Sequence, residues 1–403
     1  MSDLNFEANR CVQCKNPSCM KGCPINTKIP QAIKLFREDK IDEAAEILFL
    51  NNPLSAFCAY VCNHSKQCYG NCILNKINKP IQFFEIEKYI STNYLKKKYQ
   101  KTINTNKNIA IIGAGPAGLS AAIYLNEYGY NVTIYESKND IGGMLRYGIP
   151  EFRLSKSLID DFKHNQLEAR NIEIKTNITI GETITINDLL KQYDAVLLAM
   201  GLSKASTLNI KGEDLPNVHY GIDYLYNPDA YELGDNLIVI GAGNAAMDVA
   251  RTAKRKGVKQ VTCYARRNVS RSNVDELNAA ISDGVKFEYS KMPIEITDKA
   301  VIFADTYTNE DNKAIRIENS EKEYPCSSVI ISVSQSVLNN FNKDINIEMD
   351  NRGHIKTYED GKTNIPSLFV SGDISDKSAG TVVGVVAHSK LVSSQINQYL
   401  SNK

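Results

Sequence analysis

The residues best suited to chemistry in this sequence are its cysteines, because eight of the ten fall between residues 11 and 72 of the 403-residue chain. The first run is Cys11-x2-Cys14-x4-Cys19-x3-Cys23, followed directly by Pro24. The second run is Cys58-x3-Cys62-x5-Cys68-x3-Cys72. Thiols at such spacings form disulfides, bind structural zinc or hold iron–sulfur clusters.

The spacing favours clusters, while zinc and disulfides stay open as alternatives. Disulfides are typical of small secreted domains, and the polar, Cys-rich first thirty residues do not resemble a signal peptide. Zinc favours paired Cys-x2-Cys knuckles, and only Cys11 and Cys14 form one. Runs that end in Cys-Pro are typical of [4Fe-4S] sites, where the fourth cysteine can serve a second cluster. The sequence therefore predicts two [4Fe-4S] clusters.

A glycine-rich segment from Asn108 to Glu136 predicts a dinucleotide-binding βαβ unit. A buried strand leads into the glycine turn and a helix, and a second apolar run ends in Glu136, which would accept hydrogen bonds from ribose hydroxyls. The helix N-terminus would face the phosphates. The next loop, Gly142 to Pro150, favours FAD as the nucleotide. The residues assigned to this site are Gly113, Gly115, Pro116, Ala117, Gly118, Glu136, Gly143, Met144, Leu145 and Arg153.

Near the carboxyl end, Phe369-Val-Ser-Gly-Asp373 predicts a short strand that ends in a Gly-Asp pair. Together with Thr381, Val382 and Val383, this pair resembles the flavin motif of flavoproteins with two dinucleotide domains. In these proteins the acid contacts the ribityl and phosphate region, and the following helix start faces the ring. On its own, Gly372-Asp373 is more often an ordinary turn.

A second copy of the glycine unit lies at Leu237 to Asp248 and predicts a nicotinamide site. Ala265 takes the place of Glu136 at the end of the next strand, and two arginines follow. Guanidinium groups bind phosphate bidentately whereas a carboxylate would repel it, so the site favours NADPH over NADH. A solvated basic turn is the alternative. The assigned residues are Gly241, Gly243, Asn244, Ala245, Ala246, Arg266, Arg267 and Arg271.

Composition limits the remaining possibilities. The chain has 47 basic and 46 acidic residues and a net charge of +1, so nothing global indicates nucleic acid or an anionic membrane. No apolar run reaches the roughly 18 residues of a membrane span, and we expect a cytoplasmic protein. Between the cysteine runs, Pro30 to Phe49 predicts two short helices broken near Asp39. Pro80 to Ile90 predicts another helix, and Tyr94 to Asn108 a linker.

These motifs together resemble the family that contains the small chain of bacterial glutamate synthase, the flavin subunit of ferredoxin:NADP transhydrogenases and the electron-input half of dihydropyrimidine dehydrogenase. The resemblance covers residues 10 to 390 and includes Asn52-Pro53 and Tyr147 to Leu154. It implies that Cys11, Cys14, Cys19 and Cys72 hold one cluster. It also implies that the second cluster is held by Cys23, Cys62, Cys68 and Glu87. From the chemistry alone, Cys58 is the rival of Glu87, since iron–sulfur sites prefer thiolate.

The sequence also departs from this family. Ser332-Val-Ser-Gln-Ser-Val replaces its Ala-x-Gly-Gln-x-Pro, and Asn268-Val-Ser-Arg271 follows the paired arginines where a Met-Pro step is common. The segment between Glu295 and Val329 is short, so the chain is shorter than typical glutamate synthase small chains. In this compactness it is similar to the input subunit of bacterial dihydropyrimidine dehydrogenase.

The order of motifs predicts an α/β protein with two Rossmann-like domains, the nicotinamide domain inserted in the FAD domain, behind an amino-terminal helical domain with two clusters. The expected boundaries are 1–106 for the cluster domain, 107–230 with 338–403 for the FAD domain, and 231–337 for the nicotinamide domain. Hydride would pass from NADPH to FAD, which releases electrons singly to a cluster. No histidine lies in an obvious catalytic motif.

Two functions of different classes follow. In the first, the chain is the input subunit of a larger reductase, whose catalytic partner subunit or ferredoxin-like acceptor receives the electrons. That subunit would serve glutamate synthase, dihydropyrimidine dehydrogenase or a ferredoxin:NADP transhydrogenase. In the second, it is a stand-alone flavin disulfide or quinone reductase with a zinc-binding module. Cys263 and Cys326 form no Cys-x-x-Cys pair, which favours the first.

Overall fold

The computed structural model of the protein describes residues 2–100, 106–338, 341–343, 345–377 and 380–402. The chain divides into two compact units. The first contains Met1–Arg146, Glu151–Leu202 and Val337–Lys403, and the second contains Tyr147–Pro150 and Ser203–Ser336. None of the helices in the described part of the chain is both long and apolar enough to cross a membrane.

The first unit begins with short helices around the cysteine runs. They are α1 (Ser2–Asn9), α2 (Ser18–Lys21), α3 (Ile29–Arg37), α4 (Ile41–Asn51), α5 (Ser55–Val61), a 3₁₀ helix (Ile73–Ile77) and α6 (Phe83–Leu95). The prediction of two helices broken near Asp39 is confirmed, since Asp39 has a left-handed backbone (φ 58°) between α3 and α4. Their apolar faces meet those of α6 in one core that includes Ile33, Phe36, Leu48 and Ile86.

The helix expected at Pro80–Ile90 lies further along the chain. It starts at Phe83, because Gln82 occupies the N-cap position with a non-helical ψ of 59°. It continues to Leu95, because Ile90, Ser91 and Leu95 keep its inner face buried. The first residues of the expected linker are therefore helical. Residues 101–105 of that linker lie outside the described residues.

The first dinucleotide fingerprint folds as the sequence predicts. Its elements are β1 (Asn108–Ile112), α7 (Pro116–Glu127), β2 (Asn131–Tyr135), α8 (Met144–Tyr147), α9 (Ser157–Phe162), a π-helix (Lys163–Leu167), a 3₁₀ helix (Glu168–Arg170), β3 (Glu173–Lys175), α10 (Ile186–Gln192) and β4 (Ala195–Leu198). The four strands are parallel. A parallel sheet of this kind is buried on both faces, so its strands consist of continuous apolar residues, such as Ile109 to Ile112 in β1.

The second unit contains the second fingerprint. Its elements are β5 (Lys204–Ala205), β6 (Val218–Tyr220), α11 (Gly221–Tyr226), a 3₁₀ helix (Pro228–Ala230), β7 (Asn236–Ile240), α12 (Asn244–Arg255), β8 (Gln260–Ala265), α13 (Val274–Ser282), β9 (Lys286–Tyr289), β10 (Lys291–Ile296), β11 (Ala300–Thr308), β12 (Ala314–Arg316), β13 (Lys322–Pro325), β14 (Ser328–Ile331) and β15 (Gln335–Ser336). The parallel sheet has the order β6-β14-β7-β8-β9, and β10 to β13 form an antiparallel sheet.

This unit starts earlier in the chain than the boundary expected at residue 231. The reason is that β6 pairs with β14, placing Val218 opposite Val329 at the edge of the second sheet. The short strand β5 likewise pairs with β15. Residues 203–230 therefore belong with the second unit.

The chain then returns to the first unit. There β16 (Leu368–Val370) and α14 (Val382–Ser401) complete a parallel sheet of order β16-β4-β1-β2-β3. The predicted α/β architecture, with one dinucleotide domain inserted in another, is confirmed.

Candidate functional site

Cysteines from both runs line one cavity in the helical part of the first unit. Cys11, Cys14 and Cys19 come from the first run, and Cys72 comes from the end of the second. We call this space the first cavity. Its remaining walls are mostly apolar and include Ile29, Pro30, Ile33, Ile81 and Phe83.

The thiols of the first cavity lie close enough to influence one another. Burial, and then the neighbouring Cys72, raise the pKa of Cys19 to about 11. Burial also raises the pKa of Cys11, and Cys14 and Cys72 add to that increase. A group of thiols in an apolar cavity needs positive charge to exist as thiolates, and iron bound at this place would supply it. The donor set therefore fits an iron–sulfur cluster.

A second cavity adjoins the first and contains the other predicted ligands. Cys23, Cys62, Cys68 and Glu87 line it, and so does Cys58. Cys68 also lines the first cavity, as do Ile29 and Phe83, so the two cavities share a wall. Cys68 lies in this shared wall and Cys58 is a fifth candidate at the second cavity, so the 4+4 assignment of ligands that the resemblance implies stays a prediction.

Glu87 and Cys58 both face the second cavity and both are buried, with exposed fractions of 7% and 2%. Burial, and then Cys58, raise the pKa of Glu87 well above its usual value. A hydrogen bond between Cys58 and Cys62 lowers the pKa of Cys58 and raises that of Cys62. Among the described residues no basic side chain pairs with Glu87. Both candidates for the fourth ligand therefore remain.

The geometry does not suit a single metal ion. Within the described ranges, no three His, Cys, Asp or Glu side chains converge as the ligands of one ion do. The thiolates of a [4Fe-4S] cluster stand further apart, because each binds a different iron atom. All ten cysteines are free thiols and form no disulfide.

Sequence reasoning did not assign three polar neighbours of the second cavity to a cluster site, and of these only Asn52 belonged to a quoted motif. Thr27 lies with its hydroxyl 3.2 Å from Sγ of Cys23, and Asn52 hydrogen-bonds to Cys58. His64 also lines the cavity and stacks on Phe84 with ring centroids 4.3 Å apart. Thr27 and His64 follow Cys23 and Cys62 by four and two positions, which is a signal too common to single them out.

The first glycine turn has the close backbone approach that a dinucleotide requires. A Cβ on Gly118 would lie 1.9 Å from the carbonyl oxygen of Gly113, so only glycine allows α7 to pack against the turn. At Gly115 the nearest atom to such a Cβ would be Cα of Gly143, 3.9 Å away. A pyrophosphate binds to backbone nitrogens at the start of a helix, and it can approach them only where no side chain is in the way. The site therefore fits the predicted FAD.

Glu136 and the following loop are held against this turn. The carboxylate of Glu136 is buried and accepts hydrogen bonds from the backbone nitrogens of Ala114 (2.7 Å) and Lys138 (2.8 Å). The nitrogen of Gly142 donates to the carbonyl of Ala114, which brings Gly143, Met144 and Leu145 to the turn. The last predicted residue of this group, Arg153, is partly buried between α8 and α9.

The carboxyl-terminal motif reaches the same glycine turn. Gly372 has a φ of +82°, and a Cβ there would lie 2.9 Å from Cβ of Ala117. Asp373 accepts a hydrogen bond from the nitrogen of Gly380, and the hydroxyl of Thr381 caps α14 by accepting from the nitrogen of Gly384. Two motifs far apart in the sequence therefore meet at the start of α7.

Val383 connects this region to the cysteines. It lies in the first turn of α14, beside the predicted flavin residues Thr381 and Val382, and its side chain also lines the second cavity. The second cavity thus extends from the predicted cluster ligands to the helix start that is expected to face the flavin ring.

In the second unit, the glycine turn and the arginines also come together. A Cβ on Gly241 would lie 2.1 Å from the carbonyl oxygen of Ser332, whereas a Cβ on Gly243 would meet no atom within 4 Å. The nitrogen of Arg271 donates to the carbonyl of Ala242, so the loop after β8 is fixed to the turn. Asn244 fixes it as well, by accepting from the nitrogen of Asn273.

The three arginines form one cationic group. Partial desolvation, followed by the charges of Arg271 and Arg266, lowers the pKa of Arg267. Across the described part of the chain, no carboxylate forms an ion pair with any of the three. Ala245 and Ala246 occupy the first turn of α12 beside them. The group offers positive charge to a phosphate.

Cys263 and Cys326 do not form a redox pair. They belong to different clusters of buried apolar residues, and burial raises the pKa of each, that of Cys326 to about 11. A buried thiol that stays protonated is a poor nucleophile. The second unit therefore has no thiol centre for disulfide chemistry.

Comparisons with known proteins agree with this arrangement. Residues 107–389 match the family described as pyridine nucleotide-disulphide oxidoreductase. Residues 2–99 match the family described as dihydropyrimidine dehydrogenase domain II, 4Fe-4S cluster.

Relatives match along nearly the whole chain. The glutamate synthase [NADPH] small chain of Halomonas elongata is 32% identical over 432 residues, covering 99% of this chain and 91% of the relative. The NAD-dependent dihydropyrimidine dehydrogenase subunit PreT of Escherichia coli K12 is 32% identical over 405 residues, covering 98% and 93%. The fold is similar to Mycobacterium tuberculosis FprA in complex with NADPH, with a TM-score of 0.62, 18% identity and coverage of 74% and 85%.

Proposed function

Since this chain belongs to the family of the glutamate synthase small chains and dihydropyrimidine dehydrogenase input subunits, we propose that it feeds electrons from NADPH to a separate partner protein. FAD, when bound, accepts a hydride and releases electrons one at a time. The two cysteine cavities would hold the clusters that carry these electrons away. A glutamate synthase-like partner is the first candidate.

One observation carries this proposal. The second cavity, lined by Cys23, Cys62 and Cys68, extends to Val383 in the first turn of α14. The first cavity adjoins it through the shared side chain of Cys68. The residues therefore support a path that leads from the flavin to the second cavity and then to the first.

Each part of the chain has a separate task in this scheme. The arginines after β8 bind the 2′-phosphate of NADPH, and the bare backbone at Gly243 receives its pyrophosphate. The turn at Gly115 and the start of α14 hold and orient FAD. The mostly apolar wall of the first cavity limits the contact of water with its cysteines, and so limits loss of electrons to solvent.

Anaerobic addition of NADPH tests the proposal. We expect bleaching of the flavin absorbance, followed by the electron paramagnetic resonance signal of a reduced cluster. In a Cys62→Ser variant the flavin should still bleach, while reduction of a one-electron protein acceptor falls to background. The matched control is Cys326→Ser, whose buried thiol lies outside both cavities. Acceptor reduction at the wild-type rate by Cys62→Ser would contradict the path.

A stand-alone disulfide reductase is not favoured by any observation. Its redox thiols would have to lie beside the flavin as a pair, and Cys263 and Cys326 lie in separate apolar clusters. Within the family, the input subunits of dihydropyrimidine dehydrogenase and of ferredoxin:NADP transhydrogenases remain the alternative assignments. Identification of the copurifying protein in a native preparation would distinguish them.

A further inference from the structure

The two segments that contain the predicted cysteine ligands carry charge of only one sign. Residues 10–28 and 62–82 contain seven basic and no acidic residues. The whole chain, in contrast, is almost neutral, with 47 basic and 46 acidic residues. The excess of positive charge is therefore local to the cysteines.

Six lysines of these segments are exposed and lack ion pairs within the described ranges. One is Lys28, just before α3. The other five are Lys15, Lys21, Lys66, Lys76 and Lys79. The nearest acid on α1 does not neutralise them. Glu7 forms its ion pair with Arg10 at 2.7 Å and accepts a hydrogen bond from the nitrogen of Gln82. Their charge is thus presented to solvent.

Contacts between the two segments bring together the backbone at or beside Lys21, Lys66 and Lys79. Arg10, beside Cys11, donates from Nη2 to the carbonyl of Lys79. Gly22 packs closely against Asn71, since a Cβ on Gly22 would lie 2.5 Å from the Asn71 side chain. Lys21 precedes Gly22 and Cys72 follows Asn71 in the chain, so both lie next to this contact. Lys15 directly follows Cys14 in the chain.

The same surface has an apolar centre at the first cavity. Val12 and Ile73 line that cavity and are nevertheless 59% and 38% exposed. Ile77 follows on the 3₁₀ helix and is 62% exposed. An apolar centre with a charged rim is the usual composition of a protein–protein interface. We call Val12, Ile73 and Ile77 with the five lysines the basic face.

We propose that the basic face is the docking surface for a one-electron carrier protein with an acidic face. This inference rests on the proposed function, because the first cavity is the end of the path that leads away from the flavin. Each NADPH supplies two electrons, so one NADPH and two oxidised carriers yield NADP⁺, one proton and two reduced carriers. Charge complementarity selects the carrier, and Val12 and Ile73 allow close approach to the cysteines.

Electrostatic steering gives this inference a measurable signature. Complementary charges raise association rates by about 10- to 1,000-fold, and salt removes most of the gain. The double variant Lys15→Glu/Lys76→Glu reverses two charges of the basic face without altering a cysteine. The matched control, Lys299→Glu/Lys313→Glu, makes the same change of net charge at exposed positions of the second unit.

The experiment uses the loaded full-length protein, an acidic [2Fe-2S] ferredoxin and a small neutral quinone. At low ionic strength, Lys15→Glu/Lys76→Glu should reduce the ferredoxin at least about tenfold more slowly than the wild type. The difference should shrink in about 0.5 M salt. Quinone reduction and iron content should be unchanged, and the control variant should behave as the wild type.

Three outcomes would overturn the inference: an unchanged ferredoxin rate, an equal loss in the control variant, or a wild-type rate that does not depend on salt. A change of sedimentation in the Lys15→Glu/Lys76→Glu variant alone would also overturn it, by assigning the face to self-association. Failure of the proposed function looks different, because NADPH would then produce no reduced-cluster signal in the wild type, whatever its activity toward the quinone.

Discussion

Nζ of Lys390 on α14 lies 2.8 Å from Oδ1 of Asn51 at the end of α4, so the last helix of the chain is tied to the helices that surround the cysteines. The hydroxyl of Tyr124 on α7 donates to the carbonyl of the same asparagine at 2.7 Å. Burial lowers the pKa of Lys390. Asn51 therefore joins the cysteine helices to both helices of the predicted flavin site.

Replacement of Asn51 by Ala should destabilise the protein by about 2 kcal/mol. The variant loses the hydrogen bond from Asn51 to the carbonyl of Ile25 and leaves the half-buried Lys390 without this partner. Urea unfolding followed by circular dichroism measures the change. The control is Asn278→Ala on the exposed face of α13, which should stay within about 0.5 kcal/mol of the wild type. Equal stability of Asn51→Ala and Asn278→Ala would contradict the role given to Asn51.

Both glycine turns could be predicted from the sequence because their chemistry is local. Gly113 and Gly118 are five residues apart, and the helix and strand that they join are adjacent in the chain. The contact between Asn51 and Lys390 spans 339 positions, and no local pattern indicates such a pair. The second unit starts at residue 203 instead of the expected residue 231 for a related reason. Strand β6 has only three partly buried residues and belongs to its sheet only through pairing with β14.

The cysteine sites show the same limit. The spacing of the cysteines favours clusters. It does not show that Cys72 shares a cluster with Cys11 and not with Cys68, which is closer in the sequence. That grouping depends on how the second run folds back over the first, and the resemblance to a family supplied it. The structure brings the eight predicted ligands and the rival Cys58 to the two cavities, and it adds Thr27 and His64 at the second cavity.

A methyl group at Gly115 should weaken FAD binding while leaving the fold intact. In Gly115→Ala the new Cβ meets no protein atom closer than 3.9 Å, and φ is −82°, so the backbone is not strained. It would occupy the space into which the pyrophosphate must come. We expect a FAD content well below that of the wild type, measured by absorbance after gel filtration. An unfolded variant, or one with full FAD content, would contradict this reading of the turn.

Removal of both arginines after β8 should raise the Michaelis constant for NADPH at least about tenfold, since hydrogen bonds to charged groups contribute about 1.5–3 kcal/mol each. The constant for NADH should change little, because NADH has no 2′-phosphate. Steady-state dye reduction by the Arg266→Ser/Arg267→Ser variant measures both. Arg352→Ser, on an exposed loop of the first unit, is the control. A wild-type preference for NADH would show that these arginines serve another purpose.

Acid should destabilise the protein through His388. Burial and then Lys377 lower the pKa of His388 below its usual 6.5. The unfolded chain therefore binds a proton that the folded protein does not, and stability falls as the pH drops below about 6.5. The slope for one proton is at most about 1.4 kcal/mol per pH unit.

Chemical denaturation of His388→Gln between pH 8 and pH 5 isolates this proton. At pH 8 the histidine is neutral, so the difference from the wild type reports only the lost packing and the contact with the nitrogen of Gly372. That difference should decrease toward pH 5, because only the wild type carries the penalty. A difference that stays constant with pH would exclude His388 as the source.

The fourth ligand of the second cavity can be identified by comparing variants of Glu87 and Cys58. Both side chains are buried beside Cys62, so loss of either leaves a space in the same wall. If Glu87 is the ligand, Glu87→Ala should lose about half of the iron, whereas Cys58→Ser should keep it. Glu87→Gln retains an oxygen at the same place and should keep the iron, with a changed reduction potential in an anaerobic titration. Iron loss confined to Cys58→Ser would assign the position to the cysteine, and full iron in every variant would exclude both side chains.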